Sequence, residues 1–358
     1  RELARLKSKM FSKFQKNTEY IRIIPLFEGV DTQINAKKIL KEYLKLHKET
    51  FNFNPSYLRI FIARSDPAVI SGIVPTVLAN KIILSDLREL EKETGIKIFP
   101  ILGAGSLPFR GGLDPKTIKN FCSEYSGVKT ITIQSAFRYD YPFFLVKKAI
   151  EYYHHKPNTK SEAISKIDRK KLIEIIDIFE KEYQSCFSKI VPNLKFIFDS
   201  FPRRRERHLH IGLLSYGRKM KKMTLPRAIT FTGSFYSLGI PPEFLGISGL
   251  SKLKTNDFVL FDKYYKNHIN NFTQAGHFLN WKNLNKLSQK SKNKNNIWQK
   301  IENDIKKAEN IFKLKFGPEN IEELMHSKLT SELLASKNNP KKVKKLIAET
   351  GILRKSLG

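Results

Sequence analysis

Four short runs of β-branched and aromatic residues recur along the first part of the chain: Ile21 to Phe27, Leu58 to Ala63, Lys97 to Leu102 and Lys129 to Gln134. Each is nearly continuous in apolar residues, the pattern of parallel strands buried on both faces. Between them the apolar positions fall at helical spacing. Asn35 to Lys48 places Ile39, Leu40, Tyr43 and Leu44 on one side, and Val74 to Leu90 carries Val77, Leu78, Ile82, Ile83 and Leu87. Asp114-Pro115 reads as the opening of a third helix, with Pro in its first turn and Ile118, Phe121 and Tyr125 on its apolar side. This predicts an α/β fold, β-α repeated four times at the spacing of (β/α)8 barrel units. An open doubly wound sheet is the alternative, but the glycine-rich dinucleotide turn that usually opens one does not occur. After Asp140 the rhythm changes. Glu162 to Asn193 repeats Ile173, Ile176, Phe179, Tyr183, Phe187 and Ile190 every three or four residues, which predicts a long amphipathic helix. The expected organisation is therefore half a barrel over 1–140 and a mainly helical region over 141–358.

Composition narrows the partners. The 358 residues carry 65 Lys+Arg against 34 Asp+Glu, a net charge of +31, which favours nucleic acid, an anionic membrane surface or small anionic substrates. With 41% hydrophobic and 11% aromatic residues, the chain has the material for a core, so its charge does not make it disordered. No run approaches twenty uninterrupted apolar residues, and Arg1-Glu2-Leu3 is no signal peptide, so a soluble intracellular protein is the expectation. Cys122 and Cys186 are too few for a disulfide framework or a thiolate zinc site. Because the first residue is Arg1 rather than Met, upstream sequence is expected to be absent.

The strand ends carry the candidate chemistry: Glu28, then Arg64-Ser65-Asp66, then Gly103-Ala104-Gly105-Ser106, then Gln134 to Arg138. Barrel enzymes build their sites at the C-terminal ends of several strands at once. Glu28 and Asp66, at the ends of successive strands, form an oxygen pair suited to Mg²⁺ or Mn²⁺; the plainer reading is that each caps the helix after its strand. The segment from Gly103 to Gly112 sets four glycines and Arg110 directly after a strand, where backbone N–H groups and a guanidinium can receive an anion. It matches neither the P-loop nor the dinucleotide fingerprint, so a flexible turn remains as good a reading. Arg203 to Arg207 reads as a solvated face or a nucleic-acid patch, although no aromatics are interleaved as a stacking platform would need. Arg218 and Arg227 bracket a basic stretch leading into the apolar run Ala228 to Leu238. His208 and His210 read as structural. Asn283 to Lys300, rich in Lys, Asn, Gln and Ser, reads as a surface loop.

Seven stretches in order carry a specific resemblance: IRIIPLFEGVDTQINAKKI (21–39), LRIFIARSDPA (58–68), FPILGAGSLPFRGGL (99–113), TITIQSAFRYDY (130–141), RRRERHLHIGLLSYGR (203–218), LPRAITFTGSFYSLGIPPEFLG (225–246) and the terminal RKSLG (354–358). Over nearly the whole chain the sequence resembles the archaeal-type phosphoenolpyruvate carboxylases. The resemblance implies a TIM-type barrel of the phosphoenolpyruvate/pyruvate superfamily with many added helices, of which this chain holds the C-terminal half. It also implies a cytoplasmic homotetramer that converts phosphoenolpyruvate and bicarbonate to oxaloacetate and phosphate with Mg²⁺ or Mn²⁺, an anaplerotic carbon-fixing step feeding the tricarboxylic acid cycle. No nucleic acid or membrane is expected as a partner.

On the residues, the resemblance makes Glu28 and Asp66 the metal ligands. Arg110, Arg64 and Arg138 become the catalytic cations, and Arg218, Arg227, Gly111, Gly112 and Gln134 the substrate contacts. Ala104 stands where the larger bacterial and plant enzymes carry a further arginine. One departure is marked: the family's TQHP-like motif, whose histidine serves carboxylation, is not found, so 1–358 alone is expected not to complete the reaction. A nucleic-acid-binding protein using the charge of +31, or another lyase of the same superfamily, are the competing readings.

Overall fold

The computed structural model describes residues 22–134, 136–156, 159–202, 219–220, 223–224, 226–289 and 296–358. Arg203 to Arg207, His208, His210 and Arg218 lie outside the described residues.

The first part alternates strand and helix: β1 (Leu26–Phe27), α1 (Val30–Ile34), α2 (Ala36–Phe51), β2 (Tyr57–Ala63), α3 (Ser65–Ser71), α4 (Ile73–Thr94), β3 (Lys97–Gly103), α5 (Ile118–Glu124) and β4 (Thr130–Ile131). The strands form one parallel sheet in the order β1-β2-β3-β4, with Phe27 opposite Ile62, Ile62 opposite Leu102 and Leu102 opposite Ile131. Parallel neighbours joined through helices are what the β-α rhythm required. A mainly helical region follows, with α6 (Phe143–His155), α7 (Lys166–Ile190), α8 (Lys195–Ser200), the hairpin β5 (Lys219–Met220) and β6 (Met223–Thr224), α9 (Ala228–Leu238), α10 (Thr255–Tyr264), α11 (His268–Gly276), α12 (Trp281–Gln289), α13 (Ile297–Phe312), α14 (Ile321–Ala335) and α15 (Pro340–Leu353). Among the described residues, no helix is long and apolar enough to cross a membrane.

Four sequence expectations need correction. The sheet is not buried on both faces. Leu58, Ile60 and Ile62 are covered by helical residues such as Leu40, Leu44, Ile83 and Leu87, whereas Tyr57 and Phe99 on the opposite face each remain 37% exposed. The helix expected at Asp114-Pro115 begins later, at Ile118. The Asp114 carboxylate accepts the N–H groups of Lys116 and Thr117 and closes a turn first. The tract from Asn283 to Lys300 is not one loop, since α12 and α13 enter it from either side. Asn283 is buried and donates to the carbonyls of Leu238 and Thr330, and Asn296 caps α13, so its amides serve as internal connectors. The strands at the sheet edges, β1 and β4, are also shorter than their apolar runs.

The apolar interior has two clusters, one under the sheet and one among the helices. α4 belongs to both: Val77, Leu78 and Ile82 enter the helical cluster while Ile83, Leu84, Leu87 and Leu90 enter the sheet cluster. That double duty explains why its apolar positions run nearly all round. α7 opens with a Ser165 cap on the Asp168 N–H and buries Phe179, Tyr183 and Phe187, most of the stripe read from its spacing. Cys122 and Cys186 are buried and unpaired.

Candidate active site

The glycine-rich segment after β3 folds back as a tight loop around a turn of 3₁₀ helix, Pro108–Arg110. Its ends are tied by the Gly105 N–H to the Arg110 carbonyl at 2.8 Å and the Leu113 N–H to the Gly105 carbonyl at 2.8 Å. Gly111 has φ +127°, and a Cβ there would lie 2.6 Å from the Ala104 Cβ, so the chain reverses only because both residues are small. Phe109 anchors the loop, its ring 6.5 Å from that of Tyr183 on α7 and 5.6 Å from that of Phe231 on α9.

Arg110 is 4% exposed. Its guanidinium donates to the Gln134 Oε1 after β4 and to the Gly358 carbonyl, and its Nε has no partner among the described residues. Burial lowers its pKa to about 10, and the nearby Asp66 carboxylate opposes that fall, so the side chain is charged at neutral pH. Arg110, Gln134, Asp66, Gly111 and Gly112 are thus brought together at the C-terminal ends of the strands.

Arg64, expected as a catalytic cation, lies under the same loop. It is fully buried, with Nε donating to the Tyr125 hydroxyl at 2.7 Å, Nη1 to the Phe109 carbonyl at 2.9 Å and Nη2 to the Pro108 carbonyl at 3.1 Å. Each nitrogen is committed to protein, which is the geometry of a residue that shapes the loop from beneath. Arg138 lies in a π-helical turn, Ala136–Asp140, exposed and 5.2 Å above the Tyr139 ring. No described contact joins it to the loop. Arg227 is exposed at the N-terminus of α9, one turn before Phe231, so the helix that packs on Phe109 begins with this cation.

Glu28 follows β1 and Asp66 sits in the first turn of α3 after β2, so these half-buried carboxylates stand at the ends of hydrogen-bonded neighbouring strands. Gly29 and Arg64 hold the N-cap positions of the helices that follow the two strands. Among the described residues, no group of three or more His, Cys, Asp or Glu side chains gathers around an ion site. A two-carboxylate, all-oxygen set that leaves positions to water and substrate suits Mg²⁺ or Mn²⁺ and would hold zinc poorly.

The residues from 6 to 358 match the family model described as phosphoenolpyruvate carboxylase. The chain belongs to the phosphoenolpyruvate carboxylase family. It is 41% identical over 360 residues to the phosphoenolpyruvate carboxylase of Leuconostoc mesenteroides, covering 100% of this chain and 71% of that relative. The enzyme of the same name from Metallosphaera sedula is 39% identical over 94% of this chain and 65% of its own length. That from Pyrococcus horikoshii is 40% identical over 76% of this chain and 56% of its own length. The archaeal relatives fit the archaeal-type family that the motifs indicated, and the family is one of carboxy-lyases.

Two parts of the site lie in stretches that carry the resemblance but are not among the site residues that it implies. One is Glu243, fully buried after α9, whose Oε1 accepts the Phe109 N–H at 2.7 Å and the Tyr236 hydroxyl at 2.7 Å. A lone carboxylate in the apolar run SLGIPPEFLG was its only signal. The other is the segment 354–358, where Arg354 donates to the Leu357 carbonyl at 2.7 Å and the Ser106 hydroxyl donates to that of Ser356 at 2.9 Å. These bonds bring Gly358 to Arg110 from far along the chain.

Proposed function

We propose that these strand ends form this chain's part of the site at which phosphoenolpyruvate is carboxylated with bicarbonate, giving oxaloacetate and phosphate. The observation that carries this reading is the buried, charged Arg110, held by a rigid glycine loop beside Asp66 at the C-terminal edge of a parallel sheet. The four strands are read as part of a (β/α)8 barrel, in a cytoplasmic homotetramer.

In this reading Glu28 and Asp66 hold Mg²⁺ or Mn²⁺. When bound, the cation supplies Lewis-acid stabilisation of negative charge developing on the substrate's enolate oxygen. Arg110 turns to bicarbonate the N–H groups that Gln134 and Gly358 leave over, its Nε among them, and keeps them on the carboxyphosphate formed when a bicarbonate oxygen attacks phosphorus and the bond from phosphorus to the enol oxygen breaks. A guanidinium fixed in a dry setting stabilises this charge more than a mobile one in water, because no reorganisation is needed as the charge moves. Gln134, with its side-chain carbonyl on Arg110, sets the plane of the guanidinium. Arg227, and Arg218 outside the described residues, are assigned to the substrate phosphate. The bond from carbon to the bridging oxygen of carboxyphosphate then breaks to give CO₂ and phosphate; the enolate must meet that CO₂ before it meets a proton, and Phe109 and Leu107, both buried, seal the loop side against water.

Asp66→Asn and Glu28→Gln are each expected to lower oxaloacetate formation by the active enzyme about a hundredfold or more, read by NADH oxidation with malate dehydrogenase. Both are also expected to weaken Mn²⁺ binding seen by electron paramagnetic resonance while circular dichroism stays unchanged. Wild-type Mn²⁺ affinity in both variants would remove these residues from the metal site.

A further inference from the structure

Resting on the reading of Arg110 just given, we propose that Glu243 is a positioning residue for the reaction: it clamps the Phe109 peptide from the helical side and thereby aims the Arg110 guanidinium. The Glu243 Oε1 accepts the Phe109 N–H, and Arg64 donates to the carbonyl of the same residue. Both backbone groups of Phe109 are therefore held by buried ionisable side chains from opposite sides. Arg64 reaches it from the end of β2, Glu243 from the 3₁₀ turn Pro242–Phe244 that follows α9. Its ring is fixed as well, between Tyr183 and Phe231. A residue held at its ring, N–H and C=O has no free backbone rotation, and the next residue in the chain is Arg110. The Arg110 carbonyl completes the fixation by accepting from the Ser65 hydroxyl at 3.1 Å.

A space-filling role does not account for a carboxyl group at this position. Burying an acid is costly, and an apolar side chain of similar size would fill the volume without that cost. What an apolar residue cannot do is accept two hydrogen bonds on one oxygen. Tyr236 supplies the second and fixes the carboxyl rotamer from within α9, the helix that begins at Arg227. The phosphate cation and the loop cation are in this way referenced to the same helix.

Hydrogen exchange and steady-state kinetics on the active enzyme test the clamp together. Glu243→Ala is expected to speed amide exchange in 105–113 about tenfold or more while α4 and α7 keep their protection. Turnover is expected to fall about ten- to hundredfold and the KM for bicarbonate to rise, with the KM for phosphoenolpyruvate within about twofold of wild type. Glu243→Gln, which keeps the acceptor oxygen, is expected to restore both readouts. Unchanged exchange in 105–113, or exchange raised equally in α4 and α7, would overturn the proposal. Should Glu243→Ala fail to fold, Tyr236→Phe removes one donor to the same oxygen: faster loop exchange supports the clamp, and wild-type exchange refutes it. If Arg110→Gln left oxaloacetate formation intact, the reading of the site would fail, while the exchange result would still report on the clamp.

Discussion

Arg110 and Glu243 are ionisable groups of opposite sign buried about one loop, and burial disfavours the charged form of each. Burial lowers the Arg110 pKa only to about 10, so its charge survives, whereas the Glu243 carboxyl is pushed up to about 7, chiefly by burial and against the opposing Tyr236 hydrogen bond. The raised value makes folded Glu243 hold its proton more tightly than the unfolded chain does, with its ordinary value of 4.5. Its contribution to stability is therefore fully present below about pH 4.5 and is lost as the pH rises through about 7. Glu243→Gln, which does not titrate, is expected to flatten the corresponding decline of Tm between pH 4.5 and 7; an identical decline in the variant would refute this. The sequence showed Arg110 because a cation among four glycines after a strand is a local pattern. Glu243 acts on a residue 134 positions away, and no local spacing encodes such a contact.

At the scale of elements, α9 carries the arrangement. It begins at Arg227, packs Phe231 on Phe109, sends Tyr236 to Glu243 and lies against the terminal segment at Gly233. A Cβ on Gly233 would come within 2.1 Å of the Leu357 carbonyl and 2.5 Å of the Phe201 ring. Gly233→Ala is thus expected to cost about 1–3 kcal/mol by overpacking and to lower turnover by moving 354–358 off Arg110. Denaturant titration and the oxaloacetate assay read the two effects, and a variant as stable and active as wild type would exclude this close packing. The strands were legible as short continuous apolar runs, though not their lengths at the sheet edges, and the long helices by their repeat. The seven-residue α3 was not: Ser65-Asp66-Pro67-Ala68 has no room to show a period, and it places Asp66 within a helix. The Lys/Asn tract misled for another reason, since Asn283 and Asn296 are polar for the sake of internal hydrogen bonds rather than water.

For the whole molecule, the 358 residues carry a net charge of +31. Among the described residues many lysines sit beside acids one helical turn away, as in Lys45–Glu49, Lys147–Glu151, Lys306–Glu302 and Lys345–Glu349. Such pairs at the surface add little stability each and, being neutral, hold none of the excess. In the proposed reading the chemistry rests instead on two arginines among the described residues, Arg110, which is buried, and Arg227, which is exposed. The sequence divided the chain at 140, where the strand rhythm stops, yet α4 supplies side chains to both apolar clusters. The hydroxyl of Ser161, beyond that boundary, donates to the Leu84 carbonyl within α4 at 2.9 Å. A helix that is wall to two rooms makes the building one structure: melting is expected to be a single calorimetric transition, with van't Hoff and calorimetric enthalpies equal. Separate peptides 1–140 and 141–358 would each expose one side of that wall, and independent folding of either would show that the rooms can stand apart.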